Sequence, residues 1–187
     1  KTNLCMLATV SQVKQNKKVI FIDTEGGFSI DRFKQISEKD HETLLRNVLI
    51  LKPTSFDEQK KSFDVLLKEL NKNANIGLIV VDGMTMLYRL EISRDKKEEE
   101  ILSVNKELAK QLRTLAEIAR KKNIPILVTN QIYYNFQTED QWKQGVERTA
   151  NLVGGDLLKY WSKCLIELKN QGAKRTLFLK KHRSLPE

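Results

Sequence analysis

Short apolar runs alternate along the chain with longer segments in which apolar positions recur every three or four residues. The short runs are Lys18–Asp23 (KVIFID), Asn47–Leu51, Ile76–Asp82 (IGLIVVD), Ile124–Thr129, Cys164–Leu168 and Arg175–Lys180. The first four are almost continuously hydrophobic, as strands buried on both faces of a parallel sheet would be. The last two alternate more and flank Asn170-Gln171-Gly172, which predicts an antiparallel hairpin. Helical periodicity predicts a helix from Thr2 to about Gln15. A second helix is expected over Asp57–Asn73, with Asp57 as N-cap and Phe63, Leu66, Leu67 and Leu70 on one face. The longest runs from Glu98 to Lys122, with Ile101, Leu108, Leu112, Leu115 and Ala119 towards the sheet. Its acidic start and basic end suit the helix dipole. Strands alternating with helices predict an α/β fold: a mostly parallel central sheet flanked by helices, closed by the C-terminal hairpin. No repeat or Pro/Ser-rich linker interrupts the pattern, so a single domain is expected over 1–187. The least regular stretch, Tyr133 to Gly154, is too polar for core and long enough for a functional loop.

Composition narrows the class. A chain of 187 residues needs neither disulfide nor metal staple to hold a core. Cys5 and Cys164 cannot form a disulfide framework, which fits a reducing, cytoplasmic compartment. The longest aliphatic run, Leu78 to Val81, is far too short for a membrane span, and no signal peptide is visible. The first residue is Lys rather than Met, so sequence upstream of Lys1 is expected. The net charge is +9, and the stretch from Asn151 to Glu187 holds eight Lys/Arg against three Asp/Glu. Such a balance is the electrostatic footprint of phosphate binding, although simple solubility has the same effect on composition.

Candidate chemistry clusters just past strand ends. Asp23 and Glu25 follow VIFI, Asp82 follows LIVV, and Asn130 and Gln131 follow ILVT. Ligands of open parallel sheets bind at the carboxyl ends of strands, so polar groups placed there from three strands form a site signature. Each alone reads equally well as a capping group. An apolar run ending in Asp is also what a magnesium-triphosphate site requires. Lys1-Thr2, opening a helix, looks like the end of G-x-x-x-x-G-K-[ST], in which the Lys neutralises phosphate charge and the Thr hydroxyl ligates Mg²⁺. The glycines of that motif are not in this chain.

Four segments carry a specific resemblance: FIDTEGGFSIDRF (Phe21–Phe33), LIVVDGMTMLYR (Leu78–Arg89), PILVTNQI (Pro125–Ile132) and GGDLLKYWSK (Gly154–Lys163). In order and spacing they resemble the RecA/RadA recombinase ATPases, and in particular the short archaeal branch without an N-terminal helix-hairpin-helix domain. The resemblance implies a RecA-like P-loop NTPase core with ATP and Mg²⁺ as ligands. It implies that Lys1 and Thr2 are the phosphate lysine and magnesium ligand, and that Asp82 is the second metal-site residue. Glu25 falls where the family orients the attacking water, and Gln131 where it senses the γ-phosphate. Asp23 is expected to fix the turn that aims Glu25, with Gly26 and Gly27 allowing it. At the C-terminal end Lys180-Lys181-His182-Arg183 stands where the family carries an Asp- and Pro-bearing ATP cap, so basic groups there would reach a neighbouring subunit's phosphates or merely add charge.

Tyr133, Tyr134, Phe136 and Trp142 lie among Lys143 and Arg148. Aromatics beside cations suit single-stranded DNA without sequence preference, and packing on the domain is the competing reading. By resemblance this is the family's second DNA-binding loop. The segment Glu91–Glu100 would be the first, but its acidic residues make it a poor phosphate binder. The resemblance therefore implies an ATP-binding accessory protein of DNA repair and recombination. It would bind single-stranded DNA, hydrolyse ATP weakly once the glycine loop is supplied, and assist the main recombinase or other repair proteins, with homo-oligomers among its expected states. The alternatives are an active strand-exchange recombinase, a non-enzymatic nucleotide-dependent binding module, and, more distantly, a KaiC-like signalling ATPase.

Overall fold

A computed structural model describes residues 1–38, 40–92, 96–134, 150–152, 154–172 and 174–186. They fall into two compact units, Lys1–Ile132 and Tyr133–Glu187. The first unit contains α1 (Thr2–Val13), β1 (Lys18–Asp23), α2 (Ile30–Ser37), α3 (His41–Leu45) and β2 (Val48–Leu51). It continues through α4 (Phe56–Lys72), β3 (Ile76–Asp82), α5 (Met86–Ile92), α6 (Glu98–Lys122) and β4 (Ile126–Val128). The four strands form one parallel sheet in the order β2-β1-β3-β4. The chain moves outward from β1 to β2, then returns to the opposite side of β1 for β3. The crevice between β1 and β3 is therefore a topological switch point, where ligands of such sheets bind. Asp23 and Asp82 are register partners at its mouth.

The inner strands match the expectation of burial on both faces: Val19 to Asp23 and all of β3 are buried. The outer strands do not. Residues of β2 and β4 are half-buried or exposed, because a strand at the side of the sheet is covered less completely than the two between. On one face Val19, Phe21, Leu78 and Val80 pack with Cys5, Met6, Val10 and Val13 of α1 and with Phe28 and Phe33. Alternation along the strands puts Ile20, Ile22, Ile79 and Val81, all buried, on the other face.

Two helical faces differ in detail from the periodicity. In α4, Leu67 points outward at 42% exposure and Gln59 is buried instead. In α6 the buried stripe runs Leu108, Gln111, Leu112, Leu115 and Ile118, rotated away from Ile101 and Ala119. The cap of α4 is also corrected. Ser55, not Asp57, is the N-cap; its hydroxyl accepts from the Glu58 backbone N–H at 3.2 Å, while Asp57 sits in the first turn. The Glu58 side chain reaches back to the Thr54 N–H at 2.7 Å and to its hydroxyl at 2.8 Å. These contacts hold the Glu58 carboxyl below its usual range. Ser55→Ala is expected to cost about 1 kcal/mol, read as a lower urea midpoint with unchanged slope.

The second unit contains the rest of β5 (Ile132–Tyr134), whose first residue closes the first unit, then β6 (Ala150–Leu152), α7 (Gly155–Trp161), β7 (Leu165–Gln171) and β8 (Lys174–Lys181). β5 pairs with β6, and β7 with β8 as the expected antiparallel hairpin. The hairpin strands run longer than their apolar segments: Asn170 and Gln171 pair with Arg175 and Lys174, and Gly172 turns at φ 63°. Among the described residues no helix is long and apolar enough to cross a membrane.

Candidate active site

The strand-end groups of the first unit converge at the mouth of the β1–β3 crevice. Asp23 does what its position suggested. Its two carboxylate oxygens accept from the backbone N–H groups of Gly27 and Phe28 at 3.0 and 2.9 Å, closing the turn that carries Glu25. Gly26 takes φ 67° within it, a conformation that costs other L-residues energy. Gly27 is packed tightly for a different reason. A methyl group there would lie 3.0 Å from the Thr2 hydroxyl oxygen, so the turn runs directly over the first residue of α1.

Asp82 is 1% exposed. One carboxylate oxygen, Oδ1, accepts from the Thr129 hydroxyl at 2.5 Å. The other, Oδ2, is buried without a hydrogen-bond partner among the described residues. Threonines fix the backbone around it. Thr24 Oγ1 donates between the Asp82 and Gly83 carbonyls, at 2.9 and 2.7 Å, and Thr129 Oγ1 accepts from the Gly83 N–H at 2.9 Å. Gly83, at φ 87°, brings bare backbone against the Glu25 stem, where a methyl would fall 2.6 Å from Glu25 Cγ. Cys5, one turn into α1, is close enough to feel this carboxylate. Burial first, then the Asp82 charge, push its thiol up to about 12, so it stays a protonated core group.

From the side of β4, Gln131 Nε2 donates to Glu25 Oε1 at 3.0 Å. Lys1 Nζ donates to the Asn130 carbonyl at 3.1 Å, and the Thr85 hydroxyl bonds the Asn130 side chain. Lys1, Glu25, Asn130 and Gln131 thus come together, and Thr2 and Asp82 flank them through Gly27 and Gly83. Tyr133 and Tyr134 belong to β5 and open the second unit. Phe136, Trp142, Lys143 and Arg148 lie outside the described residues. Thr24, Thr129 and Gly83 escaped the sequence reading. The signal available for them was position: a hydroxyl or a glycine directly beside a strand-terminal carboxylate.

The donor set fits magnesium held with a nucleotide. Mg²⁺ in such sites uses one or two protein oxygens and completes its shell with water and phosphate. A dry carboxylate oxygen lacking a partner, with a threonine hydroxyl at the adjacent helix start, is of that kind. Among the described residues no cluster of three or more His, Cys, Asp or Glu offers an all-protein metal cage.

The Rad51 family model matches residues 1–187. The chain belongs to the Rad51 family. Within it the sequence is RadB-like. It is 42% identical over 188 residues to the DNA repair and recombination protein RadB of Methanococcus maripaludis, an alignment covering 100% of this chain and 79% of that protein. Identity is 39% over 182 residues to the protein of the same name from Methanocaldococcus jannaschii, covering 97% and 78%. A solved structure described as the crystal structure of the RadB recombinase matches with a TM-score of 0.72 at 32% identity, over 100% of this chain and 78% of that one. The RecA-like core with a parallel sheet and a C-terminal hairpin is thereby shown, and proteins of this family bind nucleotide, generally with Mg²⁺.

Proposed function

We propose that this chain is the ATP- and magnesium-binding core of a DNA repair and recombination accessory protein that binds single-stranded DNA and hydrolyses ATP slowly. The observation that carries the reading is Asp82 Oδ2, buried at the switch point without a hydrogen-bond partner among the described residues, on a strand tip whose next residue, Gly83, abuts Glu25, the acceptor of Gln131. Magnesium, when bound with ATP, supplies charge neutralisation on the phosphates. With nucleotide bound, Lys1 would give up its contact with the Asn130 carbonyl for phosphate oxygens. Thr2 and Asp82 would hold the metal. Glu25 orients a water by hydrogen bonding, and its partner Gln131 links that carboxylate to the start of β5. An amide suits the linking role because it donates and accepts through one rigid group. The same arrangement serves one ATPase core spanning the whole chain.

Tyr133 and Tyr134 follow Gln131 after a single residue, Ile132, which favours reading the aromatic segment through Trp142 as a stacking surface for unpaired bases. Lys143, Arg148 and the basic C-terminal hairpin supply charge for phosphates, and Lys180 to Arg183 would act in that way rather than as an ATP cap. Replacing Tyr133, Tyr134 and Trp142 together by Ala is expected to weaken single-strand binding by about 1–3 kcal/mol per stacked base. An unaltered affinity across a salt series would assign the rings to packing.

The deciding experiment measures ATP turnover with and without single-stranded DNA, and homologous strand exchange in the same tube, on the protein carrying its upstream sequence. Slow turnover stimulated by single strands, without exchange of strands, is expected. Efficient exchange would make it a recombinase in its own right. Nucleotide binding without turnover would leave a binding module.

A further inference from the structure

Among the described residues, two buried side-chain atoms lack a hydrogen-bond partner: Asp82 Oδ2 and Gln59 Oε1. Both residues bear on one turn: Asp82 opens it, and Gln59 donates to the carbonyl of Met84 within it. Gln59 belongs to α4, is fully buried, and donates through Nε2 to the Met84 carbonyl at 3.2 Å and to Gln111 Oε1 of α6 at 2.8 Å. A carbonyl can only accept, so the Met84 contact fixes which end of the Gln59 amide faces the turn. That choice forces Gln111 to present its oxygen, and its own Nε2 then turns to Glu107 Oε1 at 3.4 Å. The cost of this order is the stranded Gln59 oxygen, and an apolar residue of the same size would avoid it.

The rest of the turn is held from the sheet side. Thr24 takes the Asp82 and Gly83 carbonyls, Thr129 takes the Gly83 N–H, and the Met84 N–H donates to the Thr129 carbonyl at 3.0 Å. The Met84 carbonyl is the point at which the helical layer grips the same turn. We infer that the Gln59–Gln111 amide pair positions Asp82 for the metal, by anchoring residues 83–84 from behind. This rests on the magnesium-nucleotide reading of the site. Neither glutamine touches nucleotide or metal; both act through the turn.

Gln59→Met tests it, since Met fills similar space, removes the donor and also removes the stranded oxygen. The probe is a fluorescent ATP analogue titrated over Mg²⁺, and in EDTA, with the protein that carries its upstream sequence. The Mg²⁺ midpoint is expected to rise about tenfold, the scale at which partners behind a metal ligand act. Affinity in EDTA should stay near that of the parent, while the thermal midpoint falls, because the Met84 carbonyl and Gln111 Oε1 lose their donor. Gln111→Met, which leaves the Met84 contact but frees the amide that aims it, should shift the Mg²⁺ midpoint the same way by less, and it serves alone where Gln59→Met does not fold. An unchanged Mg²⁺ midpoint in the folded variants, with or without a lower melting temperature, overturns the inference and leaves the pair a packing feature. If the parent protein shows no magnesium-dependent nucleotide binding, it is the reading of the site that fails.

Discussion

Lys1→Ala, in a protein that carries this chain with its upstream sequence, is expected to lower nucleotide affinity by roughly tenfold to a hundredfold. The size follows from removing charge-assisted hydrogen bonds worth about 1.5–3 kcal/mol. The side chain is exposed and donates to the Asn130 backbone carbonyl. No core atom is lost, so the thermal midpoint should not move. Equilibrium binding of a labelled nucleotide, paired with a melting curve, separates the two quantities. Unchanged affinity would mean that the start of α1 is not a phosphate site and that the lysine merely ties α1 to the end of β4.

Asp82→Asn is expected to act in opposite directions on stability and on binding. The carboxylate is buried, and Oδ2 has no partner among the described residues, a costly arrangement for a charged group. Asn keeps an oxygen for the Thr129 hydroxyl and removes the charge. Stability without nucleotide should rise by about 1 kcal/mol, seen as a higher melting temperature. Magnesium-dependent nucleotide affinity should fall by more than about a hundredfold, because a metal ligand is lost rather than a group behind one. A residue kept only for packing would show neither the gain nor the loss. A fall in stability would place Asp82 among the residues that hold the sheet end together.

Much of this architecture can be read from the pattern of apolar residues, for a physical reason. A strand buried on both faces must be apolar throughout, so β1 and β3 stand out, and the polar residues that end them mark the rim. The outer strands β2 and β4 carry the same apolar signature without the same burial, because neighbour count is a property of topology and not of composition. The N-cap of α4 was placed two residues late, since Asp57 and Ser55 are both good capping residues and the backbone geometry at position 55 decides between them. In the site, charged and amide groups at strand ends were visible, and Asp23 was rightly expected to close the Glu25 turn. The residues that hold those groups were not. Thr24 and Thr129 look like ordinary strand-end residues until the strands lie side by side. Gln59 and Gln111 look like surface positions on amphipathic helices, because sequence shows that a residue is polar but not that a second polar residue from 52 positions away will meet it in the core.

Gly83 has a consequence for anyone who would redesign this rim. The acidic stem at position 25 rests on naked peptide, with room for a hydrogen atom and little more. The floor cannot be raised to push the acid forward, since even the smallest side chain would collide with Thr24 and Glu25 together. Reach can be tuned only by shortening or lengthening the acid itself, because this one achiral residue fixes the floor on which it rests.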